Sequence, residues 1–307
     1  MIIRSNVLLK RIDTLFSCNI VRTCTSFVDI RDKYSPVDLQ YTSYLPKVEN
    51  EIKKPPIIIL HGILGARSNW NTLAKTIADK TSRQVLALDA RNHGESGHSD
   101  NFSYHHMASD VVDFMEKLNI SNATLIGHSM GGRTSMLLSL LYPAMVESLI
   151  IVDISPQGIS PGFNKIPLYL KAMSDFPIDN NANISENRKA CVKQLIKVTE
   201  DKMLSNFLSS NLVNVYQNHH EWRINLKSLI NHIEHIGDFD CDIGKSYKGS
   251  TLFIGGGNSD YINEKTAPII KKLFPAAKIE IIKDCGHWLH VEKPTEFCNL
   301  TCNFINQ

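Results

Sequence analysis

The chain has 307 residues, 43% of them hydrophobic and 21% charged, with a formal net charge of +2. Length and composition fit one large α/β domain of ordinary globular character. The near-neutral charge argues against an electrostatic nucleic-acid binder, and no apolar run approaches the roughly 20 residues of a membrane-spanning helix.

The first segment differs from the rest. Met1 to Phe27 carries Arg4, Lys10, Arg11 and Arg22 against the single acid Asp13, with Ser, Thr and apolar residues between. A basic, acid-poor stretch able to form an amphipathic helix predicts a mitochondrial transit segment, placed at 1–33. Lys10-Arg11 interrupts the unbroken apolar core that a secretory signal needs.

Val37 to Tyr44 alternates as an early edge strand. Ile57 to Leu60 is a continuous apolar run, as a strand covered on both faces requires, and it ends in the glycine turn His61-Gly62-Ile63-Leu64-Gly65. Trp70, Leu73, Ala74, Ile77 and Ala78 then follow helical spacing. Gln84 to Asp89 is the next strand. The loop after it holds Asp89, Arg91, His93 and Glu95; an Asp89–Arg91 ion pair can hold that loop and His93 can touch substrate, with a structural duty the expectation for all four. A helix carrying Met107, Val111, Phe114, Met115 and Leu118 follows.

Ala123 to Ile126 reads as a strand and Gly131 to Tyr142 as a helix. Between them stands Gly127-His128-Ser129-Met130-Gly131, a G-x-S-x-G motif. In that context it predicts a nucleophile elbow, a sharp strand-to-helix turn that leaves the serine hydroxyl free above the sheet. Small flanking residues are required because a Cβ there collides with the turn. The partners of such a serine follow in the order acid, then histidine. The loop after Leu60 and the residue after the serine supply the oxyanion-hole amides, which makes Ile63 and Met130 the candidate donors.

Ser148 to Val152 is a further strand. Strand–helix alternation to this point predicts a mostly parallel sheet with helices on both faces. It stops after Pro156 and resumes at the strand Thr251 to Ile254. The intervening stretch reads as a helical cap inserted over the serine, with Phe163, Ile166, Leu168, Tyr169, Leu170 and Met173 as its apolar underside. The expected layout is 1–33 transit segment, 34–156 first part of the core, 157–245 cap and 246–307 second part of the core. Gly255-Gly256-Gly257-Asn258 lacks the spacing of a dinucleotide fingerprint, so no cofactor is expected there. After the strand Lys278 to Ile282 comes Asp284-Cys285-Gly286-His287-Trp288, which puts His287 on a loop able to reach Ser129. Asp153 and Asp260 both have the right order to be its acid. The seven cysteines show no paired C-x-x-C spacing, so neither a disulfide framework nor a metal site is expected. Cys298 and Cys302, one helical turn apart, read as helix packing, and Cys285 as a small buried residue.

Across Pro55 to Pro294 the sequence resembles the alpha/beta-hydrolase superfamily. More closely it is similar to the mitochondrial alpha/beta-hydrolase domain-containing protein 11 family and its bacterial esterase relatives. The resemblance rests on the glycine turn at 61–65, Leu88-Asp89-Ala90-Arg91-Asn92-His93-Gly94, the elbow with Gly132, Val152-Asp153-Ile154-Ser155-Pro156, Gly256-Gly257-Asn258-Ser259 and Gly286-His287-Trp288. It implies a serine hydrolase of the carboxylic ester class, acting on esters or thioesters with Ser129, an acid and His287 and with no metal or organic cofactor. It favours Asp153 as the acid, whereas Asp260 holds the position commonest in the superfamily. It also implies a matrix location. The other function it implies is stabilisation of the lipoylated 2-oxoglutarate dehydrogenase complex on a hydrolase scaffold.

Overall fold

The computed structural model describes residues 29–48, 54–158, 162–216, 219–239 and 244–307. The transit segment expected from the sequence falls outside them up to residue 28. Its last residues form a short helix, α1 (Ile30–Lys33), that belongs to the folded body. Ile30 is buried, and its amide donates to the Tyr142 hydroxyl.

The body is a doubly wound sheet. In chain order its elements are β1 (Tyr41–Tyr44), β2 (Ile57–Leu60), α2 (Asn71–Thr81), β3 (Val85–Leu88), α3 (Tyr104–Lys117), β4 (Ala123–His128), α4 (Met130–Leu141) and β5 (Val146–Val152). After a long insertion come β8 (Ser250–Gly256), α9 (Ala267–Leu273), β9 (Ala277–Ile282), α10 (Leu289–Glu292) and α11 (Pro294–Ile305). The seven strands lie in the order β1-β3-β2-β4-β5-β8-β9. Only β1 runs antiparallel, beside β3 at the edge. The winding reverses between β2 and β4, and at such a switch point the loops leaving the carboxyl ends of two neighbouring strands part to form a crevice.

Alternation within fully buried strands divides the core into two layers. Ile58 and Leu60 pack with Met107, Val111, Met136 and Leu137 of α3 and α4 on one face. Ile57 and Ile59 pack with Ile77, Ala78, Phe297 and Cys302 of α2 and α11 on the other. Both faces are covered, which is why these strands read as continuous apolar runs and not as alternating ones. Cys285, Cys298 and Cys302 are buried free thiols of the second layer.

The insertion between β5 and β8 holds α5 (Ile166–Ser174), α6 (Ile184–Thr199), α7 (Lys202–Ser209), β6 (Leu212–Tyr216), β7 (His219–Trp222) and α8 (Leu226–Gly237). It was expected to be helical throughout, yet β6 and β7 pair as an antiparallel hairpin apart from the main sheet. Leu168 does not join its underside: the side chain is 57% exposed, whereas Leu170 and Met173 are buried. The insertion is tied to the core through polar groups. Arg133 of α4, itself buried, donates to the carbonyls of Ser155, Gly158 and Gly237. Asn225 donates its amide to Asn92 O, and Asn92 donates its side-chain amide to the Ser228 hydroxyl.

Candidate active site

Register places the ends of β4 and β5 in line beside β8. His128 pairs with Val152, and Val152 pairs with Ile254. The residues one step further on β4 and β5, Ser129 and Asp153, therefore leave the sheet side by side, next to Gly255, which stays in β8.

Ser129 sits at φ 52°, ψ −115°, a strained conformation for a residue with a Cβ. The chain turns there directly from β4 into α4. The Ser129 amide is used by Val152 O, while its carbonyl accepts from Arg133 N in the first helical bond. Met130 is the first residue of α4, so its N–H has no intrahelical partner and points out of the helix end beside the serine. The flanking glycines are sterically required. A Cβ on Gly127 would lie 2.3 Å from Gly131 O, and one on Gly131 would lie 2.3 Å from Leu60 O.

Asp153 is also at positive φ, 48°, and is fully buried. One carboxylate oxygen accepts from Gly256 N at 2.9 Å. The other accepts from the Ser259 hydroxyl and from His287 Nδ1 at 2.7 Å. This pairing fixes the proton on Nδ1 and leaves Nε2 as the lone-pair nitrogen. Asp260 is exposed, and its backbone carbonyl accepts from Asn263 in a local turn. Of the two candidate carboxylates, the one bonded to His287 is Asp153.

His287 is flanked by the rings of Tyr261, at 4.6 Å between centroids, and His128, at 4.7 Å. His128 Nε2–H donates to the His287 carbonyl, which anchors the loop. Burial, together with the neighbouring imidazoles His290 and His287, pushes the His128 pKa well below its ordinary value, so its ring stays neutral. The glycine run after β8 has a physical reason in the same place. A Cβ on Gly256 would lie 2.3 Å from Gly286 O, so only glycine lets the histidine loop pass this close.

The 61–65 turn supplies the third side of the site. Gly65 N donates to Gly62 O at 3.0 Å, and His61 Nδ1–H donates to the same oxygen at 2.7 Å. A trans peptide holds its C=O and N–H on opposite sides, and the described residues contain no cis bond. With Gly62 O turned to these donors, the Ile63 N–H faces the other way. Gly62 itself lies against the elbow: a Cβ there would be 3.3 Å from Ser129 Cβ.

The ion pair expected between Asp89 and Arg91 does not form. Asp89 is held by Arg67, and Arg91 makes a two-pronged contact with Asp110 at 2.6 Å through each nitrogen. Both aspartates are buried, and each is paired with an arginine distant in sequence, 22 positions for Asp89 and 19 for Asp110. His93 is fully buried and holds structure, as expected of that loop.

A cavity of about 300 Å³ contains Ser129 and His287, walled by Ile63, Ile166, Tyr169, Phe207 and Trp288 among others. A second cavity of about 230 Å³ shares Gly62, Ile63, Phe207 and Trp288 with it. A larger concavity, about 790 Å³, is an open polar cleft around Arg67, Lys75 and Arg223 that contains neither Ser129 nor His287. Of the three, the cavity of about 300 Å³ is the one that contains both Ser129 and His287, and its exposed lining is mostly apolar.

Elbow, switch-point crevice and buried Asp–His pair define an alpha/beta hydrolase, and the chain belongs to that family: its profile, described as alpha/beta hydrolase fold, matches residues 55–294. Among individual proteins, the chain is 40% identical over 271 residues to the sn-1-specific diacylglycerol lipase ABHD11 of Xenopus laevis, covering 88% of this chain and 84% of that one. It is 34% identical over 263 residues to a putative esterase/lipase of Haemophilus influenzae, covering 85% and 86%. A solved marine microorganism esterase superimposes with a TM-score of 0.80 at 33% identity, over 87% of this chain and 99% of that one.

Proposed function

We propose that the protein is a serine hydrolase that cleaves carboxylic esters or thioesters through an acyl-enzyme on Ser129. The observation that carries this reading is the 2.7 Å contact of buried Asp153 with His287 Nδ1, in one cavity with a serine held on a strained elbow. Asp153 sets the tautomer in which His287 Nε2 takes the Ser129 proton, and it stabilises the imidazolium that results. The Ser129 oxygen attacks the carbonyl carbon. The Ile63 and Met130 amides receive the oxyanion, helped by the positive end of α4. His287 then protonates the leaving alcohol or thiol, and water repeats the sequence on the acyl-enzyme. Dehalogenases and epoxide hydrolases of this fold need an aspartate at the elbow, which Ser129 replaces.

The apolar walls suit an acyl group, and the names of the relatives, a diacylglycerol lipase and esterases, point to acyl-lipid or small acyl substrates. The basic, acid-poor composition of residues 1–27 supports import into mitochondria. The functional test is a panel of esters and thioesters of graded acyl length, run on the purified protein and on Ser129→Ala. Turnover of at least one class, lost in the variant, supports the reading. Equal turnover in both removes it.

A further inference from the structure

Leu64 stands at the third position of the 62–65 turn with φ 63°. That position favours glycine, because in the left-handed region a Cβ crowds the following carbonyl oxygen. Such a conformation persists only where the surroundings over-determine it. Here both backbone groups of Leu64 are gripped by side chains. Its N–H donates to His93 Nε2 at 3.1 Å, and its carbonyl accepts from Asn211 Nδ2 at 2.9 Å.

The two grips come from different parts of the chain. His93 lies in the loop after β3. Its Nδ1–H donates to Arg91 O at 2.9 Å, so Nε2 is fixed as the acceptor. Burial, reinforced by the His61 imidazole nearby, pushes the His93 pKa down to about 3 and keeps that acceptor unprotonated. Asn211 lies in the insertion, between α7 and β6, and is 1% exposed. Its backbone carbonyl is held in turn by Arg223 N at 2.8 Å. Its Oδ1 has no hydrogen-bond partner. The amide is thus buried with the bond to Leu64 O as its side-chain contact, an arrangement that stability alone does not favour.

We propose that Asn211 and His93 are positioning residues that clamp Leu64 in its left-handed state and thereby aim the Ile63 N–H into the oxyanion hole, so that docking of the inserted segment and completion of the hole are one event. This rests on the serine-hydrolase reading above. The chain of cause is short. If Leu64 relaxes, the 62–65 turn opens, Gly62 O leaves its donors, and the peptide carrying the Ile63 N–H rotates. The serine, histidine and acid are untouched. The loss therefore falls on the tetrahedral state, where charge develops on the oxygen, and not on substrate binding.

The test is steady-state kinetics of Asn211→Ala on one ester, alone and combined with Leu64→Gly. Loss of one oxyanion donor costs roughly 10²–10³ in kcat, which sets the ceiling. The single variant is expected to lose about tenfold or more in kcat below that ceiling, with KM unchanged and with affinity for an alkylboronic acid reduced by the same factor. Leu64→Gly is expected to restore most of it, because glycine keeps positive φ without a clamp. If Asn211→Ala shows no cooperative melt, Asn211→Leu keeps the space filled and takes its place. Unchanged kcat, a loss in KM alone, or no recovery in the double variant overturns the proposal. Ser129→Ala in parallel separates the two claims: turnover surviving there counts against the hydrolase reading itself, whereas turnover lost there but unchanged in Asn211→Ala counts against the clamp alone.

Discussion

Asp153→Asn changes one atom in a fully enclosed group, so its consequence follows from the bonds that atom makes. The carboxylate accepts from Gly256 N, from the Ser259 hydroxyl and from His287 Nδ1. An asparagine keeps one acceptor, which Gly256 N fixes because the backbone cannot turn away. Its NH₂ must then face Ser259 and His287. The serine hydroxyl rotates to accept. The imidazole meets that donor by moving its proton from Nδ1 to Nε2, and Nε2 is then no base for Ser129. In a serine protease the corresponding tautomer error lowers turnover about 10⁴-fold, equivalent to about 5.4 kcal/mol of barrier. A loss of that order is expected here. Asp260→Asn is expected to cost about tenfold or less, since Asp260 is exposed and engaged in a local turn. The assay is kcat of both variants on one short-chain ester, after thermal melts show that each is folded. A crippled Asp260→Asn beside an active Asp153→Asn would refute the reasoning and put the acid after β8.

The site's neutral histidines make stability fall in mild acid. His61, His93, His128 and His290 are all buried and held below the ordinary 6.5, His93 and His290 down to about 3. The unfolded chain binds protons that the folded one refuses, so this stability is whole above pH 6.5 and is lost as pH falls, at up to about 1.4 kcal/mol per pH unit for each histidine. Calorimetric Tm should drop steadily between about pH 6.5 and 5, above the ordinary carboxylate range; a flat Tm over that interval contradicts it. Residues 1–35 fused to a fluorescent protein should direct it to mitochondria, and a diffuse cytosolic signal counts against that address.

Most of the frame was readable before any coordinates. β2, β3 and the 149–152 part of β5 are short runs buried on both faces, and burial on both faces writes itself as uninterrupted Ile, Leu, Val and Ala. The elbow was readable because its steric demand falls on adjacent residues. What stayed hidden depends on direction across long separations. Asp153 and Asp260 look alike as strand-end aspartates; the φ of 48° that turns Asp153 toward His287 has no local signature. Arg67 reaches Asp89 across 22 positions and Arg91 reaches Asp110 across 19, so the nearer Asp89–Arg91 pairing was a natural error. Asn211 meets Leu64 across 147 positions, and nothing in the polar sequence around it marks the contact. The β6–β7 hairpin was lost in a segment whose helices dominate the pattern, and its strands are half exposed.

Covalent labelling tests the central claim most directly. The wild-type protein is incubated with a fluorophosphonate, and intact mass and peptide mapping follow. The account predicts a single adduct per chain, on the peptide containing Ser129, absent from Ser129→Ala and strongly slowed in Asp153→Asn. Failure to label the folded wild-type protein, or an adduct on another residue with Ser129 unmodified, would contradict a nucleophilic Ser129 and with it the mechanism built on the elbow.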